Sequence, residues 1–212
     1  MPIALPDPGQ PNLEFEKPAD AERLEQTAKA LVARGFIAEV ARDVAHAKEL
    51  VLGLLPEGAE VHSALSETLK ELGITQLIDE SGRFDSLRRR LAAMDRKTQA
   101  REMRKLGAAP DYIVGSAHAI TDDGIILVGS GSGSQLGAYA YAAGSVILVV
   151  GHQKLVRDLA EARRRLVEYC LPREFARMKS AGYAGSVLAK TLTLEKEFGR
   201  VRVILVPASL GF

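Results

Sequence analysis

The feature that most constrains this chain is a gap. No Asp, Glu, Lys or Arg occurs from Gly124 to Gln153, 30 consecutive residues in a chain that is 26% charged. Average density would place about eight charges there. A membrane span needs about 20 mostly apolar residues without a polar break. The centre of the gap, Gly129-Ser130-Gly131-Ser132-Gly133-Ser134-Gln135, is glycine, hydroxyl and amide, and the apolar block after it, Leu136 to Val150, is 15 residues long. The expectation is therefore buried strands and no membrane segment. Outside the gap, 28 Lys plus Arg against 27 Asp plus Glu leave a net charge of +1. That balance removes global charge as an argument for nucleic acid, a membrane surface or a polyanionic partner.

Five of the nine prolines lie at positions 2, 6, 8, 11 and 18, so residues 1–18 are expected to form a proline-rich flexible arm ahead of one α/β domain over 19–212. Met1 to Lys17 has no basic segment followed by an apolar core, so no signal peptide is expected. The single cysteine, Cys170, has no internal disulfide partner, and a cytoplasmic location is the expectation.

Asp20 and Asp43 are N-cap residues for two helices, with a short strand over Phe36 to Val40 between them. Ala59 to Ser63 reads as a buried strand, Ser66 to Leu72 as a short helix, and Ile74 to Ile78 as a short strand or turn. Phe84, Leu87, Leu91, Met94 and Thr98 place one stripe on a long helix from Arg83 to Leu106. Its opposite face is basic, with nine Lys plus Arg against three acids between 83 and 106. This face is read as a solvated exterior in preference to a patch for a phosphorylated ligand, and no aromatics alternate with the cations as nucleic-acid stacking would require. Beyond Pro110, strands at Tyr112 to Ser116, Ile125 to Val128 and Val146 to Val150 alternate with helices at Leu136 to Ala143 and Leu155 to Tyr169. A further helix follows Pro172, and Leu188 to Leu194 with Val201 to Val206 reads as a hairpin turned at Phe198-Gly199. The fold class expected is α/β: a single three-layer domain with a mostly parallel open sheet, helices on both faces, an N-terminal helical arm and a C-terminal β-hairpin.

In such a sheet ligands bind beyond the carboxyl ends of the strands. Ser130, Gly131, Ser132, Gly133, Ser134 and Gln135 sit between a strand and a helix, where glycine lets the backbone approach an anion and serines donate to it. The tract lacks both the Gly-Lys-Ser/Thr of a phosphate loop and the G-x-G-x-x-G spacing of a dinucleotide site. Lys154, with His152 beside it, follows the next strand and is a second candidate for holding a phosphate or carboxylate, set against the plainer role of an exposed helix start. Asp122-Asp123-Gly124 is first of all a hairpin turn, and only secondarily a pair of general-base candidates beside His118. His46, His62, His118 and His152 show no metal-binding spacing, so no metal is expected.

Ser116-Ala117-His118-Ala119-Ile120-Thr121-Asp122-Asp123-Gly124, the serine-glycine tract and Val146 to Val156 resemble, in order and spacing, the LUD-domain family, relatives of lactate utilization protein C. The likeness runs from about Ala28 to Tyr169, with the closing Gly199 to Phe212 similar to one bacterial branch. It implies a fold related to the ribose-5-phosphate isomerase, glucosamine-phosphate deaminase and CoA-transferase group. It also implies an accessory or regulatory role in lactate utilization beside separate iron–sulfur subunits. Many relatives carry Asn where His118 stands and Asn-Arg where Ser134-Gln135 stand, so an arginine contact to an anion is not carried over. Several have a cysteine-rich tail, whereas Leu171 to Phe212 has no cysteine, so no iron–sulfur cluster and no other cofactor is expected. The alternative is an enzyme or binding protein for a phosphate-, CoA- or carboxylate-bearing small molecule at the Gly/Ser loop. A homo-oligomer is left open.

Overall fold

The computed structural model describes residues 5–212; Met1 to Ala4 of the expected arm lie outside the described residues. Six parallel strands form the central sheet: β1 (Ile37–Val40), β2 (Glu60–Ser63), β3 (Asp85–Ser86), β4 (Tyr112–Gly115), β7 (Ser145–Gly151) and β10 (Val201–Val206), in the spatial order β1-β10-β7-β4-β2-β3. A second sheet holds β5 (Ala119–Thr121), β6 (Ile126–Ser130), β8 (Leu155–Val156) and β9 (Lys190–Leu194), in the order β8-β5-β6-β9. The α/β class with a mostly parallel sheet flanked by helices is thus the fold of this chain.

The charge gap is explained by β7. Val146, Leu148 and Val150 face one core while Ile147 and Val149 face the other, all fully buried. Each such side chain contributes about 1.5–3 kcal/mol through burial, so a charge at any of these positions would be destabilising on either face. The first core lies between the two sheets and α1 (Ala21–Ala33), which supplies Leu24, Ala28 and Leu31. The second joins the other face of the central sheet to α2 (Val44–Gly53), α3 (Glu67–Glu71) and α4 (Ile74–Glu80) through Ala47, Val51, Leu69, Ile74 and Ile78. A third core packs Ala119, Leu127 and Val156 of the second sheet under Ala162, Leu166, Tyr169 and Cys170.

Four expectations need correction. Ile74 to Ile78 is helical, because Gly73, at φ 68°, turns the chain after α3 and puts Ile74 and Ile78 one turn apart on the core. The long basic helix is two helices, α5 (Leu87–Ala92) and α6 (Ala100–Ala108). Between them Asp95 accepts from Lys97 N at 2.8 Å and Thr98 Oγ1 at 3.0 Å, a local turn that competes with helix continuation. The helix placed from Leu155 starts late: Leu155–Val156 is β8, and Asp158 caps α7 (Leu159–Arg165) by accepting from Glu161 N at 2.8 Å. A π-helical turn, Leu166–Cys170, then leads into α8 (Leu171–Ser180). Pro172 offers no N–H and would crowd the carbonyl of Glu168, and the wider turn relieves both.

The fourth correction is the C-terminal hairpin. β9 pairs antiparallel with β6, and β10 inserts between β1 and β7 in the other sheet. The half-polar Lys-Thr-Leu-Thr-Leu of β9 suits a sheet edge, whereas β10 is buried at five of its six positions and suits a centre. The N-terminal segment is seated on the domain: Asn12 N donates to Glu168 O at 2.9 Å, Phe15 is buried, and Arg173 and the Tyr169 hydroxyl both donate to Glu16.

Candidate functional site

β4 and β7 are parallel neighbours in the central sheet, and β5 and β8 are parallel neighbours in the second. The two short connections that leave the carboxyl ends of β4 and β7, residues 116–118 and 152–154, therefore cross between the sheets side by side. One carries Ser116 and His118, the other His152, Gln153 and Lys154. Lys154 points inward and is 1% exposed. Its Nζ donates to Thr68 Oγ1 of α3 at 2.8 Å and to Ser116 Oγ at 3.2 Å. Desolvation, followed by the nearby Arg165 guanidinium, pushes its pKa down to about 7.

Arg165, at the end of α7, is fully buried. Nη1 donates to His118 O and to Cys170 Sγ, the latter at 3.1 Å, and the guanidinium lies 5.0 Å from the Tyr169 ring centroid. Nε and Nη2, which form the side-on fork that matches a carboxylate, have no partner. Among the described residues no carboxylate forms an ion pair with either Lys154 or Arg165.

His118 is partly accessible, and its Nδ1 accepts from Gly129 N at 3.1 Å, which leaves the ring proton on Nε2. Desolvation, then Lys154 and Arg165, push its pKa down to about 3, so it is neutral at physiological pH. Burial also raises the Cys170 thiol against the pull of Arg165 and Lys154. Tyr139 closes the floor: its hydroxyl lies 1.6 Å from where a Cβ on Gly115 would stand, so only glycine fits the end of β4.

The other sequence candidates are distributed around this cluster. The Gly/Ser tract is largely self-satisfied: Ser130 Oγ accepts from Gly133 N at 2.9 Å and donates to Gln135 Oε1 at 3.1 Å, and Ser132 Oγ donates to Ser134 Oγ at 3.2 Å. Gly131 and Gly133 lie against Val187 and Lys190. The tract adjoins the cluster only through Gly129, and leads into a five-residue π turn, Ala138–Ala142, with no regular helix. His152 Nε2 meets Ser209 Oγ at 3.2 Å. Asp122 pairs with Arg23 at 2.7 Å, and Asp123 pairs with Arg34 and accepts from Thr121 Oγ1. His118 and these aspartates stand at opposite ends of β5, about 13 Å of extended chain apart, and do not meet.

Sequence reasoning missed Arg165, Thr68 and Ser116. The one available signal was Arg165 on the stripe Ala162, Leu166 and Tyr169, where an apolar residue was due, but Arg163 and Arg164 beside it made it look like part of a solvated run. Among the described residues no group of three or more His, Cys, Asp or Glu is placed to hold a metal, and no helix is long and apolar enough to cross a membrane.

Residues 24–206 match the family model of the LUD domain, and the chain belongs to the LUD-domain family. Through that family it is related to proteins of lactate utilization. A DUF162-family protein from Deinococcus radiodurans, known from its crystal structure, aligns with a TM-score of 0.52 at 14% identity, covering 89% of this chain and 99% of that one. At that identity the likeness is one of fold. No curated protein matches the chain.

Proposed function

We propose that this LUD-domain protein is an accessory or regulatory component of cytoplasmic organic-acid metabolism, in lactate utilization, and that it binds a small carboxylate or phosphate anion at Lys154, Arg165 and His118. One observation carries the reading: two cationic side chains, 1% and 0% exposed, share a site in which neither forms an ion pair among the described residues. A buried charge without a partner costs several kcal/mol, and an anion seated between the two would remove that cost. The site faces the carboxyl ends of β4 and β7, where ligands of open α/β sheets bind. An accessory role is supported by the side chains themselves: the thiol is held protonated, the imidazole is committed to Gly129, and both aspartates are bound to arginines at the far end of β5.

A thermal-shift series with acetate, propionate, lactate, phosphate and CoA esters tests the binding. A ligand at 100 times its dissociation constant should add about 2.7 kcal/mol of stability. Arg165→Gln should abolish the shift, and a flat response to every anion at millimolar concentration would reject the site. The lactate assignment is tested separately by growth of a deletion strain on lactate and by capture of iron–sulfur subunits on the purified protein; normal growth with no captured subunit would reject it.

A further inference from the structure

The two cations are not equivalent, and the difference bears on what occupies the site. Arg165 stays charged in any protein environment and offers an unpartnered fork, whereas Lys154 is a single amine between two hydroxyls, in no ion pair, whose proton Glu71 holds less strongly than desolvation and Arg165 oppose it. A monocarboxylate on the fork would neutralise Arg165 and leave Lys154 without a charge to balance. A phosphate dianion would instead hold Lys154 protonated. Desolvation, which already brings this lysine to about 7, makes the uncharged, nucleophilic form available at neutral pH. Ser116 Oγ, 3.2 Å from Nζ and partly accessible, is placed to relay a proton to or from an attacked group.

We infer that the ligand is a small oxo acid, held by its carboxylate on Nε and Nη2 of Arg165 and by a reversible imine between its carbonyl carbon and Lys154 Nζ. The inference rests on the anion-binding reading above. The neutral amine adds to the carbonyl, forming the C–N bond, and a proton passes from nitrogen to oxygen through Ser116 to give a carbinolamine. Protonation of that hydroxyl and loss of water then give the iminium ion. Hydrolysis reverses both steps, and neither oxidant nor reductant is consumed.

The test is reductive trapping on the intact protein. Wild-type chain is incubated with pyruvate or acetoacetate and sodium cyanoborohydride, which delivers hydride to the iminium carbon and fixes a secondary amine, and the modified lysines are mapped by peptide mass spectrometry. The expected result is one adduct, at Lys154, formed at least tenfold faster than at surface lysines and suppressed by propionate, which has the carboxylate but no carbonyl. Arg165→Gln should lower its rate at least tenfold, and Lys154→Arg should remove it. Mapping on the wild type does not depend on either variant folding. Adducts scattered over surface lysines, or none with either oxo acid, would overturn the imine. In that event propionate binding by thermal shift would leave the anion site standing, whereas its absence would remove both.

Discussion

Lys154→Met replaces a buried amine with a neutral side chain of similar length, and its effect on stability should depend on pH in a calculable way. In the unfolded chain the lysine titrates at 10.5, in the folded protein at about 7. The lowered folded value means that the unfolded state binds more protons between those limits, so the native state gains stability as pH rises from 7 to 10.5. At about 1.4 kcal/mol per pH unit, the buried ammonium destabilises the protein by about 4 kcal/mol at pH 7 and by less than about 1 kcal/mol at pH 10.5. Loss of the hydrogen bonds to Thr68 and Ser116 adds an offset that does not change with pH. Urea unfolding of both proteins across this range, compared as a difference, cancels every other titrating group. The advantage of the variant over the wild type should shrink by about 4 kcal/mol between pH 7 and 10.5. Parallel curves, differing by less than about 1 kcal/mol over the range, would refute the uncompensated burial of the ammonium. Saturating phosphate should flatten the difference, because a bound dianion holds the proton on Lys154.

Gly115→Ala would place a methyl group 1.6 Å from the Tyr139 hydroxyl, on a tyrosine that is 1% exposed; chemical denaturation should show a loss of about 1–3 kcal/mol. Asp79 is a buried carboxylate that accepts from Ser63 Oγ at 2.8 Å and Ser86 Oγ at 2.7 Å, so Asp79→Ala should cost about 1–3 kcal/mol by orphaning both hydroxyls, and an unchanged urea midpoint would contradict this. The His118 ring should keep its neutral NMR shifts from pH 8 down to about pH 4, since its pKa lies at about 3; titration near 6.5 would show that the ring is solvated. Cys170, buried with a raised pKa, should react with a disulfide reagent at the rate of unfolding, and a native-state reaction complete within seconds would place the thiol elsewhere.

The sequence pattern showed the fold wherever burial alone decides it. Val146 to Val150 could only be a strand covered on both faces, and β7 is one. The pattern failed where two elements compete for the same residues. Leu188 to Leu194 and Val201 to Val206 satisfy the rule for a hairpin, yet whether two adjacent strands pair with each other depends on partners distant in sequence, here β6 and β7. The site divides in the same way. Lys154 stands out as the first charge after the apolar run, but a side chain's direction is set by the sheet it crosses to, so a lysine expected either at the ligand edge or on an exposed helix start proved to be interior. Thr68 and Arg165, 86 and 11 residues away, carry no local mark of meeting it.

The double crossing explains why polar chemistry gathers at this point of an otherwise apolar interior. Two neighbouring strands that leave one parallel sheet and enter neighbouring positions in a second must run side by side through the seam, and side chains on those rungs face the other rung or the core. Ile113 and Leu148 lie before the crossing, Ile120 and Leu155 after it, and all are buried. A polar residue placed on a rung has only the other rung, and whatever caps the seam, as hydrogen-bonding partners. Ser116 and Lys154 satisfy each other across the rungs, and Thr68 caps them from α3. Arg165 closes the opposite side by holding the His118 carbonyl. This geometry leaves Nε and Nη2 of Arg165 without partners, and neither rung nor either cap contributes a carboxylate to an ion pair with the two cations. On the proposed reading a bound anion balances the two cations, and the fork of Arg165 suits a planar one.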